Sequence, residues 1–329
     1  MREHPSCPWC SHPIDCQPGI PGQSLHHTFC CLDRHNPACI RTERTALNRI
    51  MRDDNEKGRV MNAGFVRDLD EATYHADRTS LSVSGAKTLM KSPALFRHQQ
   101  DNPVQKDTFD YGSAAHALVL GAGMDSIYVT PVEEFRTNVA KAEKEEARRV
   151  GLSIVTPPEW EQISAMADAL SSHTLAMRLL SEGEPEISAY ALDEETGVMR
   201  RGRFDWLGTS VLTDYKTCAS ANPRDLAGRY GVVKKWGYDA QAAWYTDLAR
   251  DLGHPAAAFA FIFQEKAAPY QVTVAYVDDA DLWDARQHNR AALERFRDCT
   301  ESGFWPAYLS TDTAARLSLT DQTYYEEVI

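Results

Sequence analysis

Asp205, Asp214 and Lys216 stand close together in the segment Gly202 to Lys216, GRFDWLGTSVLTDYK, and their types suit hydrolysis of a phosphate ester. Carboxylate oxygens suit a hard cation such as magnesium. That ion keeps several waters and lets one be activated for attack on phosphorus, while a lysine stabilises the charge that develops. The flanking residues say how the three would meet. Runs Arg200 to Leu207 and Val211 to Tyr215 alternate or cluster apolar and aromatic residues, and Gly208-Thr209-Ser210 between them is turn chemistry, which predicts a β-hairpin. Asp205 and Asp214 then lie on neighbouring strands, and Asp214 and Lys216, two apart, project from one face. A surface hairpin with a salt-bridged Asp and Lys fits the same residues, and they alone do not decide between the two.

Other candidates sit on the elements around this hairpin. Glu186 opens a predicted strand to Leu192, followed by a turn at Asp193 to Gly197; it suits a further acidic ligand or a surface carboxylate equally. His116 is alone on a helix of small residues, Asp110 to Gly123, a setting in which a histidine is more often packed in the core than a ligand. Gln241 and Tyr245 are four apart on a helix from Trp236 to Gly253 and share a face suited to a phosphate, a base edge or an ordinary interface. Arg200, Arg201, Arg203, Lys216, Lys234 and Lys235 are positioned to line a positive groove. The GAKT at Gly85 lacks the glycines of a phosphate-binding loop, which argues against a nucleotide-driven motor.

The front of the chain carries different chemistry. Six of the 8 cysteines precede Ile40, and such a cluster in a cytosolic protein points to metal rather than disulfides. Cys7 and Cys10 have the spacing that grips one zinc; Cys31 and Cys39 would complete the site, with Cys30 or His35 as substitutes. A loose tail of reduced cysteines is the alternative.

The chain of 329 residues is long enough for a sizeable core. A net charge of -12 rules out a generally basic coat but not a local positive groove, and the sequence has neither a membrane-spanning run nor a secretory signal, so a cytoplasmic protein is expected. The pattern predicts a helix capped by Ser84, a second started by Pro93, a charged helix Asn138 to Arg149 and one long helix Pro157 to Ser181. Ala221 to Tyr230 reads as a loop with a short helix. Strands Ala257 to Gln264 and Tyr270 to Val277 and a closing helix Asp279 to Gly303 follow. The expected organisation is a Cys/His-rich module (1–42), a charged helix or linker (43–73), a globular α/β domain (74–310) and a polar, partly ordered tail (311–329).

Taken in order, LSVSGAKTLMKSPALF, YGSAAHALVLG, EISAY, GVMRRGRFDWL, LTDYKT, YDAQAAWY and KAAPYQVTV resemble the PD-(D/E)xK nuclease superfamily, in the branch shared by RecB-type nuclease domains and RecE (exonuclease VIII) with its phage relatives. The likeness spans about residues 74 to 300, and its matching residues are Gly112, His116, Glu186, Asp205, Asp214, Lys216, Gln241 and Tyr245. What it implies is a restriction-endonuclease-like α/β core, a central mixed β-sheet flanked by helices. It also implies a magnesium- or manganese-dependent exodeoxyribonuclease that digests linear double-stranded DNA from its ends, 5′ to 3′, leaving 3′ overhangs for recombination by strand annealing. By the same resemblance His116, Asp205, Asp214 and the backbone carbonyl of Tyr215 would bind magnesium, and Lys216 would position the attacking water. Gln241 and Tyr245 would hold DNA, with Arg201, Arg203, Lys234 and Lys235 beside them. It further implies a RecT-type single-strand annealing protein as partner and a ring-like tetramer. Ser92 stands where iron–sulfur members of the branch place a cysteine, and no cysteine triplet follows Tyr245, so no cluster is expected. A Cas4-like or restriction-type nuclease, or a DNA-binding protein with a dead nuclease fold, are the alternatives.

Overall fold

The computed structural model describes residues 61–102, 108–309, 311–318 and 323–328. The candidate zinc ligands Cys7, Cys10, Cys30, Cys31, His35 and Cys39 lie outside the described residues.

The chain opens with β1 (Gly64–Val66), α1 (Glu71–Ala76), β2 (Ser80–Ser82), α2 (Val83–Lys91), α3 (Pro93–Asp101) and α4 (Thr108–Leu120). Next come β3 (Ile127–Val129), α5 (Asn138–Arg149), β4 (Ser153–Val155), α6 (Pro157–Ser171) and α7 (Thr174–Leu179). The middle of the fold is β5 (Gly183–Leu192), β6 (Met199–Gly208), β7 (Val211–Cys218), α8 (Pro223–Leu226), α9 (Val232–Trp236) and α10 (Tyr238–Asp251). It closes with β8 (Ala258–Glu265), β9 (Val272–Tyr276), α11 (Asp279–Ser302), β10 (Thr313–Ser318) and β11 (Thr323–Val328).

One mixed sheet holds the molecule together, in the order β1-β5-β6-β7-β8-β9, with β2 pairing β6. Its neighbours are antiparallel except β7–β8 and β2–β6, which are parallel. The sequence explains which strands are central. In β8, Phe259, Phe261 and Phe263 point to one side and Ile262 to the other, all buried, the near-continuous apolar run of a strand covered on both faces. Burying side chains of this size stabilises by about 1.5–3 kcal/mol each. The phenylalanine side packs with Ala242, Tyr245, Leu248 and Ala249 of α10. On the other side Tyr215 and Ile262 meet Ala114 and Ala115 of α4 and Ile163 and Leu170 of α6. The small residues of α4 let that helix approach the sheet closely.

The predicted hairpin is present as β6, a turn at Thr209–Ser210, and β7; a Cβ at Gly208 would fall on the Val211 carbonyl, so only glycine fits there. The pairing is brief. β6 and β7 share a single ladder pair, Trp206 with Thr213, and then part; on the freed edge of β6, β2 pairs with Met199–Arg201.

Several local expectations change. Ser82 rather than Ser84 caps α2, its Oγ accepting from the Gly85 N–H at 3.2 Å. The long helix from Pro157 breaks after Ser171, because His173 adopts extended dihedrals and its Nδ1 accepts from the Ala176 N–H to start α7. The helix from Trp236 is two helices, divided at Gly237 with φ +65°, a left-handed turn that glycine adopts without strain. Beyond residue 310 the tail forms an antiparallel hairpin, β10–β11, whose Thr, Tyr and Val content favours strands. Among the described residues no helix is long and apolar enough to cross a membrane.

Candidate active site

The fork where β6 and β7 part is where the candidate residues meet. Continued by one step, the ladder would place Asp205 opposite Asp214. Instead the Asp205 side chain enters the gap and its Oδ2 accepts from the Tyr215 N–H at 3.0 Å, standing in for the missing strand partner. Asp214 is held from the α10 side: Gln241 Nε2 donates to its Oδ1 at 2.5 Å, and Lys216 Nζ lies 2.5 Å from its Oδ2. The Lys216 ammonium also sits 5.4 Å from the centre of the Tyr238 ring on α10. Asp214 and Lys216 thus share one face, as their spacing requires.

Glu186 faces the fork from β5. In the β5–β6 register it lies between the pairs Pro185–Trp206 and Ile187–Phe204, opposite Asp205. Its φ is +53°, a left-handed conformation inside a strand. For a residue with a Cβ that costs about 1–2 kcal/mol, the kind of strain that clusters where a side chain must be aimed. His116 arrives from α4, its ring edge-on to Tyr215 at 5.3 Å and its Nδ1 3.3 Å from Asp205 Oδ2. One ligand atom each of His116, Glu186 and Asp205 lie within 4.8 Å of one another.

These groups perturb one another. Burial first, then Asp205, raises Glu186 to about 7, and burial and Asp205 raise Asp214 to about 6. Asp205 is raised by burial. Burial and Lys216 lower His116 to about 4, so the ring is neutral at pH 7 and its approach to Asp205 is not an ion pair. Burial works against the Lys216 charge, but Asp214 and Asp205 outweigh it and hold the ammonium above the usual lysine range.

A raised carboxylate weakens the fold as pH rises. Below its unfolded value the group is protonated in both states; above its folded value the whole cost of burying the charge is present. In EDTA, Glu186→Gln is therefore expected to stabilise by on the order of 1–3 kcal/mol at pH 8 and to have little effect at pH 4.5, the difference developing between about 4.5 and 7. His116 works in the opposite sense between about 4 and 6.5, so the comparison with the parent at each pH, by thermal melting, is the one to make. A difference independent of pH would show that Glu186 is not the titrating group.

The donor set fits a divalent cation. Ligand atoms 2.0–2.1 Å from one magnesium lie at most about 4.2 Å apart, so the trio needs to contract by roughly half an ångström. Two carboxylates suit magnesium or manganese, and the neutral imidazole is in the form that binds a metal. Asp214 lies outside this trio but interacts electrostatically with Asp205 and His116.

Of the residues expected to meet DNA, all but Lys235 have polar partners among the described residues. Gln241 is buried and orients Asp214. Tyr245 is buried between Phe204 and Phe259, and its hydroxyl accepts from the Arg203 N–H at 3.2 Å. Arg201 is buried too, donating to the carbonyls of Asp77 and Ser80, and Arg203 to Ser188 Oγ and the Leu69 carbonyl. Arg200 is buried against Asp251. Lys234 pairs with Asp239 at 2.7 Å, whereas Lys235 is exposed against Trp236. Two neighbours were missed. Tyr238 lies one helical turn before Gln241, a spacing that could have revealed it. Lys87 on α2 reaches across to the Trp236 carbonyl at 2.9 Å, and nothing local in its segment signals this.

Comparison with known proteins adds two findings. The family model of the PDDEXK-like domain of unknown function (DUF3799) matches residues 82–315. The crystal structure of a candidate exonuclease from Eubacterium rectale matches with a TM-score of 0.54, covering 74% of this chain and 91% of that one at 16% identity, a likeness of fold. No curated protein matches the chain.

Proposed function

Since the chain belongs to the PDDEXK-like DUF3799 family, we propose that it is a metal-dependent deoxyribonuclease that digests linear double-stranded DNA from its ends, 5′ to 3′, and leaves 3′ overhangs for a strand-annealing partner. The observation that carries this reading is the convergence of His116, Glu186, Asp205, Asp214 and Lys216 on the fork between β6 and β7.

In this reading His116, Glu186, Asp205 and Asp214, with the Tyr215 carbonyl, hold magnesium or manganese. A divalent ion bound there supplies Lewis acidity toward the phosphate and a water of lowered pKa. Lys216, kept charged by its two acids, places a positive donor against the charge that develops on the phosphate oxygens. Gln241 fixes the Asp214 carboxylate so that its Oδ2 stays with the ammonium. Glu186, raised to about 7 by burial and Asp205 in the metal-free site, must be ionised to join a cation, so metal uptake would release its proton.

The test is a linear duplex labelled separately at each 5′ and 3′ end, beside a covalently closed circle of the same DNA, with magnesium or with EDTA. Magnesium-dependent loss of the 5′-ended strand from the linear DNA alone is the expected result, and EDTA should abolish it. Cleavage of the circle would make the protein an endonuclease, and no cleavage with any divalent ion would refute the assignment of a nuclease.

A further inference from the structure

The connection from β7 to α10 joins the strand of Asp214 and Lys216 to the helix of Gln241, and it carries two exposed aromatic rings. Tyr230, 85% exposed, has the most open of the large hydrophobic side chains among the described residues, and Trp236 is 57% exposed. Each ring has a cation against it: Arg229 Cζ is 5.5 Å from the centre of Tyr230 and Lys235 Nζ 5.7 Å from Trp236. Among the described residues no acid pairs with Arg229 or Lys235, in a chain whose net charge is -12.

The backbone at Trp236 is tied to α2. Lys87 Nζ donates to its carbonyl, and the Lys87 stem packs against Gly237, where a Cβ would come within 2.7 Å of it. The same ammonium feels the charges of Lys216 and Asp214. Two residues further on, Tyr238 lies against Lys216. Singly exposed aromatic rings are ordinary on a protein surface; what marks these two among the described residues is the cation beside each. An aromatic face with an adjoining cation offers stacking to a base of any identity and charge to the phosphate beside it.

We infer that Trp236 and Tyr230, on the connection that leads from β7 to α10, form a stacking platform for unpaired bases of a DNA strand, with Arg229 and Lys235 on its phosphates. The inference takes its setting from the nuclease reading, but the binding it describes is measurable without cleavage.

The experiment is fluorescence anisotropy of a labelled oligothymidylate of about 20 nucleotides, and of its abasic counterpart, with the full chain in EDTA. Trp236→Ala and Tyr230→Ala should each weaken binding of the thymidylate by roughly 5- to 100-fold, as expected for one base stack. Neither should change binding of the abasic strand, and Trp236→Phe should retain most of the affinity. Arg229→Ala and Lys235→Ala should weaken both strands and lower the salt dependence. Equal loss on both strands in the aromatic variants, no loss at all, or no strand binding by the parent would overturn the platform. Digestion of linear duplex by the parent is scored alongside. Digestion with strand binding unaffected by Trp236→Ala and Tyr230→Ala removes the platform and leaves the nuclease; base-dependent binding without digestion does the reverse.

Discussion

Asp214→Asn is expected to leave the fold intact and to slow DNA cleavage by on the order of 10³-fold, the several kcal/mol of charge stabilisation that a metal-binding carboxylate contributes. The asparagine keeps a carbonyl oxygen for the Gln241 amide, so the buried hydrogen bond is preserved. What disappears is the negative charge facing Lys216 and Asp205. Two effects on stability then oppose each other. Burial and the Asp205 charge raise Asp214 to about 6, so at pH 8 its ionised form is a cost that the substitution removes. Lys216 loses its nearest partner, which restores part of that cost. The melting temperature should therefore move by only a few degrees, since about 1 kcal/mol corresponds to about 2–4 °C in a domain of this size. A variant that fails to fold would show that Asp214 is structural, and one that cleaves normally would remove the fork as the active site.

Asp193 shows why that outcome distinguishes a site acid from a structural one. It is buried as well, but it accepts from the Thr196 N–H at 3.0 Å, from Thr196 Oγ1 at 2.7 Å and from Arg290 at 2.6 Å. Burial raises its pKa, and these donors more than cancel that effect, so Asp193 ends below the usual carboxylate range. Asp77 is lowered in the same way by Ser80 and Thr79. Asp193 and Asp77 are thus held in the ionised form by their donors, whereas Glu186, Asp205 and Asp214 at the fork are raised by burial. Such burial costs stability and persists where a cation or a substrate completes the set.

The hairpin, and the shared face of Asp214 and Lys216, were legible because strand alternation is local: two residues apart means one face, whatever the rest of the fold does. The parting of β6 from β7 was not legible, because it depends on β2, far away in the chain, claiming the freed edge of β6. For the same reason Asp205 looked like a face residue, whereas its carboxylate lies in the gap between the strands. Gln241 and Tyr245 were legible as a shared helical face but not as buried residues, since burial is set by how α10 lies on the sheet. Arg201 and Arg203, arginines on a strand next to an acid, read as a DNA groove, and the sequence does not show that both donate to backbone carbonyls of the segment before α2. Lys235, on a surface helix, remains free to meet a polyanion.

Glu186→Gly should separate function from stability in opposite directions, raising the melting temperature while reducing cleavage by about 10²-fold or more. Loss of supporting contacts around a metal costs 10- to 100-fold, and a direct ligand contributes at least that. The stability gain has two sources. Glycine adopts φ +53° freely, which releases about 1–2 kcal/mol of strain, offset in part by about 0.5–1 kcal/mol of extra chain entropy in the unfolded state. Removing a carboxylate raised to about 7 adds a second contribution at pH 8 that is absent at pH 4.5. Glu186→Gln keeps the strain and loses only the charge. At pH 4.5 the glycine variant should still melt above the parent and the glutamine variant should not; at pH 8 both should. Strain held at Glu186 for the sake of aiming one carboxylate explains all of these together. If the glycine variant melts lower than the parent at both pH values, the left-handed turn is not strained and the side chain is holding the strand. If it melts higher and cleaves DNA at the parental rate, Glu186 is outside the reaction, and Asp205, Asp214 and His116 must hold the metal without it.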